Sequence, residues 1–250
     1  MRLRFKAYAA PELAAWSQCE RQPQNFCGHW AQRFARPQQP LHLELGCGKG
    51  GFLAQLAIEN PHINYIGIDL TDKVLVLAKR KLESACAAAG CAADNVCIVA
   101  HDIERIREML SAADAVQRVY INFCNPWDKK AGHTKHRLTH PRQLLQYRSF
   151  LAPGAELWFK CDDDALYTDA LNDLPQAGFA VTWQTWDLHA DEPAWNRRTE
   201  HEEMFARMGL PTHALIACIA PLPEMPPQPA FAKMPCDRAN RILNLNERAQ

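Results

Sequence analysis

No stretch of this 250-residue chain is apolar over the roughly 18 residues needed to cross a bilayer. The basic start (Arg2, Arg4, Lys6) lacks the apolar core and small-residue cleavage site of a secretory signal, so a cytosolic, cytoplasmic protein is expected. Net charge is missing too. The 28 Lys and Arg offset 28 Asp and Glu, which excludes a uniformly basic coat for nucleic acid but not a local basic patch. The ten cysteines include no C-x-x-C pair, which argues against a zinc ribbon or knuckle. They are expected as free thiols, some of them (Cys97, Cys218) acting as small buried hydrophobes. No internal repeat is visible. What remains is 48% hydrophobic and 22% charged, the balance of a globular chain long enough for one large α/β domain.

Residues 1–40 carry scattered aromatics and little periodicity, and are expected to pack on the core as an N-terminal segment. Pro37 and Pro40 close it. From residue 41 the pattern alternates. Strands are predicted at 41–45, 63–69, 96–100, 118–123, 155–160, 179–186 and 212–220. Helices are predicted at 52–59, 72–89 and near 142–151. Strands alternating with helices imply a Rossmann-like α/β fold, a mostly parallel sheet with helices on both faces, over residues 41–220. Residues 221–250 open with five prolines in nine residues and read as a Pro-rich tail outside the compact domain.

Gly46-Cys47-Gly48-Lys49-Gly50-Gly51 lies between the first of these strands and its helix, where glycines allow a tight turn and close approach of a ligand. It also satisfies G-x-G-x-x-G, so a nicotinamide-dependent oxidoreductase competes, as does a turn with no ligand. Three acids narrow the choice. Glu44 precedes the loop, Asp69 ends the second strand, and Asp102 follows the third. Any one of them alone is commonly a cap or a solvated charge. Together they mark the carboxyl edge of the sheet, where α/β folds bind ligands. An acid at the mouth of the loop suits a cationic sulfonium amino acid better than a pyrophosphate.

After the fourth strand comes Asn122-Phe123-Cys124-Asn125-Pro126-Trp127. Pro126 holds Asn125 extended. Trp127 offers a face for a base, although burial in the core is the commoner fate of tryptophan. From Lys129 to Arg148 there are six Lys and Arg, three His and no Asp or Glu. Beside a ligand site, such a run favours a polyanionic substrate. A metal centre is not expected, because the lysines around His133 and His136 would repel a cation.

These residues resemble the bacterial tRNA (guanine-N7)-methyltransferase family over residues 1–219. Leu43 to Phe52 match its cofactor loop and Tyr65 to Asp69 its second strand. Pro126-Trp127 with Lys129, Lys130, His133, Lys135, Arg137 and Leu138 resemble its basic loop. Phe159 to Asp162 and Thr199 to Glu202 resemble two later substrate motifs. The resemblance implies a seven-stranded sheet with a reversed last strand, S-adenosylmethionine as cofactor, and methyl transfer to N7 of a guanosine in the variable loop of tRNA. It assigns Glu44, Gly46, Gly48, Asp69, Asp102 and Asn125 to the cofactor, with Asn125 also at the catalytic position. Lys129, Asp162, Thr199 and Glu202 would contact the guanosine, and Lys130, His133, Lys135 and Arg137 the RNA.

The chain departs from the family pattern at several positions. Asn125 stands where the family carries a catalytic Asp, Asp128 where Pro is frequent, His136 for an arginine, and Cys161 for Thr. The basic loop is one residue longer at Ala131-Gly132, and the Pro-rich tail has no counterpart. Guanine N7 has an in-plane lone pair and no proton, so attack on a sulfonium methyl requires alignment rather than a base. Asn125 keeps an acceptor oxygen and loses a charge. Retained activity is therefore expected, the alternative being a tRNA-binding paralogue with weakened catalysis.

Overall fold

The computed structural model describes residues 6–127 and 132–223. Helix α1 (Ala9–Ala14) and the two-residue strand β1 (Cys19–Glu20) come from the N-terminal segment. The core then runs β2 (Leu41–Leu45), α2 (Gly51–Glu59), β3 (Asn64–Asp69), α3 (Asp72–Ala89), β4 (Val96–Ala100), β5 (Val116–Asn122), α4 (Pro141–Arg148), β6 (Leu151–Cys161), α5 (Asp164–Gln176), β7 (Phe179–Thr185), α6 (Glu200–Arg207) and β8 (His213–Ile219).

One eight-stranded sheet results, in the order β1-β4-β3-β2-β5-β6-β8-β7. Pairings are parallel from β1 through β6, and β8 runs antiparallel to both neighbours. The reversed last strand is thus present. The eighth strand, beyond the seven expected, is β1 on the edge of β4. Two residues carry no periodicity, which is why the sequence gives no sign of it.

Successive residues on a strand face opposite ways, so each buried strand feeds two cores. Ile66, Ile68, Val119 and Ile121 pack with α4 and α5 on one face. Tyr65, Ile98 and Tyr120 pack with α1, α2 and α3 on the other. Strand β6 starts four residues before the predicted 155, because Leu151 pairs with Val116 across a bulge. That pairing also ends α4 before its predicted limit. Helices α1, α5 and α6 were not predicted. Helix α5 is capped by Asp163, whose carboxylate accepts from Leu166 N at 2.6 Å.

The N-terminal segment is tied to the core by Trp30. It has no exposed surface, and its indole Nε1 donates to Met109 O at 2.6 Å. Trp30→Ala should lower the unfolding free energy by about 3–5 kcal/mol in urea titrations, as for other buried aromatics. A loss below about 1 kcal/mol would show that this segment is not part of the cooperative unit.

Candidate active site

Chain order reverses between β2 and β5. The chain moves outward from β2 through β3 to β4, then returns to the other side of β2 as β5. Such a switch point opens a crevice at the carboxyl ends of its two central strands.

At the end of β2 the amides of Gly46 and Cys47 both donate to Ile68 O, at 2.8 and 2.9 Å. This folds the chain back over β3. Gly46 and Gly48 take φ of 78° and 54°, the left-handed region that glycine enters without a Cβ penalty. Gly50 starts α2, and a Cβ there would lie 2.8 Å from Ala78 Cβ, so only glycine lets α2 close on α3. Gly48 N donates to Asp69 Oδ2 at 3.1 Å and Thr71 N to Asp69 Oδ1 at 3.3 Å, which fixes the carboxylate at the loop. Burial raises the Asp69 pKa against these bonds.

Glu44 is 4% exposed. Its Oε1 accepts from Asn122 Nδ2 at 3.3 Å, across the switch point, and its Oε2 has no partner among the described residues. Burial pushes its pKa from the ordinary 4.5 up to about 8, opposed by the Asn122 hydrogen bond and the Lys160 charge. Glu44, Gly46, Gly48, Asp69, Asn122 and Thr199 share the walls of a cleft of about 330 Å³.

After β5 the backbone is unusual at two bulky residues. Phe123 and Trp127 both have φ of 50°. Side chains of that size rarely enter this region, and such positions cluster at functional sites. Between them Asn125 is exposed, and its Oδ1 accepts from Trp127 N at 3.0 Å. The Phe123 ring, at the cleft, stacks on His201 and Phe205 of α6 with centroids 5.9 Å away in each case. Trp127 is 37% exposed, with His136 and His133 rings at 5.3 and 6.1 Å.

The third wall is the start of α6. Thr199 Oγ1 accepts from Glu202 N at 3.0 Å, and Glu202 Oε2 accepts from Thr199 N at 3.2 Å, a reciprocal capping box. Glu202 has no exposed surface. Its carboxylate also accepts from Lys160 at 2.6 Å and from Asn196 at 2.7 Å, and pairs with His189 Nε2 at 3.1 Å. Burial favours the neutral acid, but Lys160 with the Asn196 and His189 bonds outweighs it and holds the pKa below the ordinary value. His189, Glu192 and Glu202 bring metal-type ligand atoms within 4.8 Å of one another. The Lys160 ammonium and the Arg198 guanidinium already neutralise the two carboxylates there.

A family model described as "Putative methyltransferase" matches residues 38–215. The curated tRNA (guanine-N(7)-)-methyltransferase of Ruminiclostridium cellulolyticum is 46% identical over 218 residues, covering 87% of this chain and 92% of that protein. Its counterpart in Clostridium beijerinckii is 47% identical over 217 residues, covering 87% and 98%. The chain belongs to the tRNA (guanine-N7)-methyltransferase family.

Among solved structures, 16S rRNA methyltransferase KamB superposes with a TM-score of 0.51 at 15% identity, over 88% of this chain and 96% of that one. A variant of the 16S rRNA (adenine(1408)-N(1))-methyltransferase from Catenulisporales acidiphilia, solved with cosubstrate SAM, gives 0.51 at 15% identity over 81% and 93%. At that identity the likeness shows the fold alone.

The residues that the tRNA (guanine-N7)-methyltransferase pattern singles out are not all in one place. Glu44, Gly46, Gly48, Asp69 and Thr199 line the cleft. Asp102 sits at the same sheet edge but is exposed, and its Oδ1 caps Glu104 N at 3.0 Å. Asp162 is exposed just past β6. Arg137 is 6% exposed, its Nε donating to Pro126 O at 2.6 Å and its Nη1 paired with Asp169 of α5. Lys135 is exposed and His133 half-buried. Lys129 and Lys130 lie outside the described residues. Sequence reading missed Asn122, Lys160 and His201 as parts of the site. The signal for α6 was available, because Thr199-Glu200-His201-Glu202 is a capping-box sequence as well as a family motif.

The raised pKa of Glu44 has a definite sign. Between pH 4.5 and about 8 the folded chain keeps a proton that the unfolded chain has lost. This contribution to stability is fully present below 4.5 and is lost as pH rises through about 8. A bound cation favours the carboxylate form. S-adenosylmethionine affinity should therefore rise between pH 6 and pH 8.5, and Glu44→Gln should flatten that rise while weakening binding about tenfold or more. Calorimetric titration at several pH values checks it, and a native profile as flat as the variant's would contradict it.

Proposed function

We propose that this chain transfers a methyl group from S-adenosylmethionine to N7 of a guanosine in the variable loop of tRNA, as a cytoplasmic enzyme. The observation that carries this reading is the unpartnered Glu44 Oε2 beside Asp69 in the cleft of a chain of this family. Two acids on a glycine loop suit a cationic amino acid with a ribose. Once ionised, Glu44 would repel the pyrophosphate of a nicotinamide cofactor at the mouth of the loop.

When bound, S-adenosylmethionine supplies an electrophilic sulfonium methyl. Glu44 holds the amino end, with Asn122 keeping its other oxygen in place. Asp69 receives ribose hydroxyls while the Gly48 and Thr71 amides hold it, and Asp102 lies at the adenosine side of the same edge. Asn125, between two residues of left-handed backbone, presents an amide toward the incoming base with no carboxylate to remove a proton. None is needed at N7, so the residues contribute alignment. Lys129, Asp162 and Thr199 hold the guanosine. Lys130, His133 and Lys135 meet the RNA backbone, where each cation adds salt-sensitive affinity.

Two residues take a different part from the one that the resemblance implies. Glu202 is buried with its oxygens engaged, so it serves the guanosine through Thr199, whose position it sets. Arg137 serves the RNA by clamping the Pro126 carbonyl to α5. Glu202→Gln should destabilise the chain by about 3–5 kcal/mol, since it leaves Lys160 charged and unpaired in the interior. The double change Lys160→Met with Glu202→Met should cost less than either single change in thermal unfolding. Equal or additive losses would deny the pair.

A second reading rests on Asn125: a tRNA-binding relative with weakened catalysis. Purified protein, S-adenosylmethionine and an unmodified tRNA transcript, followed by digestion and mass spectrometry for 7-methylguanosine, decide between them. The expected result is product from the native chain, with Asn125→Asp at least as fast. Product from the variant alone supports the second reading. Product from neither, on a transcript that a known enzyme of the family modifies, refutes the substrate assignment.

A further inference from the structure

A second cavity, of about 170 Å³, lies between α2 and the sheet face of β3, β5, β6 and β8, bounded also by Trp195 and Arg197 from the segment joining β7 to α6. Phe52 and Asn122 line both this cavity and the cofactor cleft. Its remaining aromatic wall is Tyr65, Tyr120, Trp158, Phe159 and Trp195. Trp195 meets Trp158 edge-on at 4.6 Å.

The charged residues of its wall are cations, each paired with a carboxylate set behind it: Arg118 with Glu156, Lys160 with Glu202 and Arg197 with Glu59. Among the described residues, Arg118, Lys160 and Arg197 line it and no carboxylate does. Two of the three cations are fully occupied. Lys160 donates to Asn196, Arg197 O and Glu202, and Arg197 is held by Glu59 and the carbonyls of Ala194 and Asn196. Arg118 differs. Its guanidinium stacks over Trp158 with Cζ 4.2 Å from the ring centroid, and Nη2 pairs with Glu156 at 2.6 Å. Its Nη1 donates to the Tyr120 hydroxyl at 3.3 Å, and its Nε is buried with no partner among the described residues.

Arginine donates and never accepts, so only an acceptor can satisfy that nitrogen. A buried donor left unmet carries a standing cost that a suitable ligand removes. The size is also restrictive. An apolar cavity of about 150 Å³ is known to take one benzene ring. Flat rings on the walls favour a flat ring between them.

We propose that this cavity binds a small planar aromatic anion, a single ring bearing a carboxylate, and that its occupancy shifts affinity in the neighbouring cofactor cleft through Asn122. The link is physical. Asn122 is a wall of the cavity and also the donor that holds Glu44 Oε1 at 3.3 Å. Any displacement of its amide changes the carboxylate on which the cofactor's amino end rests. Coupling of this kind is reciprocal. Only the coupling clause rests on the proposed function. The cavity and its ligand class do not.

The full-length protein would be titrated with benzoate, benzamidine and cyclohexanecarboxylate, following protein NMR shifts. Benzoate should bind at one site, with benzamidine and cyclohexanecarboxylate each at least about tenfold weaker, the factor expected for one charge-assisted hydrogen bond or a lost ring contact. Arg118→Met should weaken benzoate by a similar factor, and Ile216→Phe, which fills the cavity, should abolish binding. If Arg118→Met does not fold, Ile216→Phe decides. Benzamidine binding as tightly as benzoate would overturn the ligand class. Benzoate binding unchanged in Ile216→Phe would overturn the site. S-adenosylmethionine affinity should change at least twofold at saturating benzoate, and no change would overturn the coupling. Benzoate binding in a protein that does not bind S-adenosylmethionine would count against the proposed function and leave the cavity standing.

Discussion

The buried contact between Lys160 and Glu202 ties the start of a short helix to the central sheet. Lys160 belongs to the sheet. Glu202 belongs to a helix of eight residues that buries no other side chain. A helix so short does not persist by itself. It stays where its single buried carboxylate is neutralised, at 2.6 Å from an ammonium that is itself largely buried. Breaking such a pair is costly because the survivor is left charged in a medium that solvates it poorly. The same carboxylate caps the helix through Thr199 N and orders the preceding segment through Asn196 and His189. With it go Thr199 and His201, which form one wall of the cleft.

The opposite wall depends on register. Glu44 lies opposite Tyr120 across the β2–β5 pairing, so Asn122, two residues further on, shares its face. That relation puts an amide donor beside a buried carboxylate. A slip of one residue would turn Asn122 to the other face of the sheet and strand Glu44 without any partner.

Much of this was legible in the sequence and some was not. Strands 41–45 and 96–100 coincide with the observed ones, because short apolar runs between a proline or a polar turn and a glycine or acid leave little freedom. Gly46, Gly48, Glu44 and Asp69 were legible as a group, since glycines at a strand-to-helix turn with acids at strand ends have few other uses. Helix α5 was legible but passed over: Asp163 is a good cap, and Leu166, Tyr167, Ala170 and Leu174 repeat at helical spacing. The left-handed backbone at Phe123 and Trp127 was not legible, because residue type argues against it and only the surroundings impose it. Nor was the burial of Glu202 and Arg137. A charged residue in a motif reads as a contact for substrate, and only the fold reveals that its charge is already answered inside the protein.

Strand β8 sits between β6 and β7 although it is the last to be made. During synthesis the growing sheet therefore has a vacancy, not merely an unfinished margin. Strands β6 and β7 are both complete about 30 residues before anything can join them, judged from the spacing of β7 and β8 along the chain. Until residues 213–219 leave the ribosome, β7 has no partner, and β6 offers one bare ladder of amides and carbonyls to whatever passes. Closure is a wedge driven in from the C-terminal side, and it satisfies two strands at once. Any chain cut short before residue 213 would lose its sheet on that side, even though the glycine loop and its acids would already have been built.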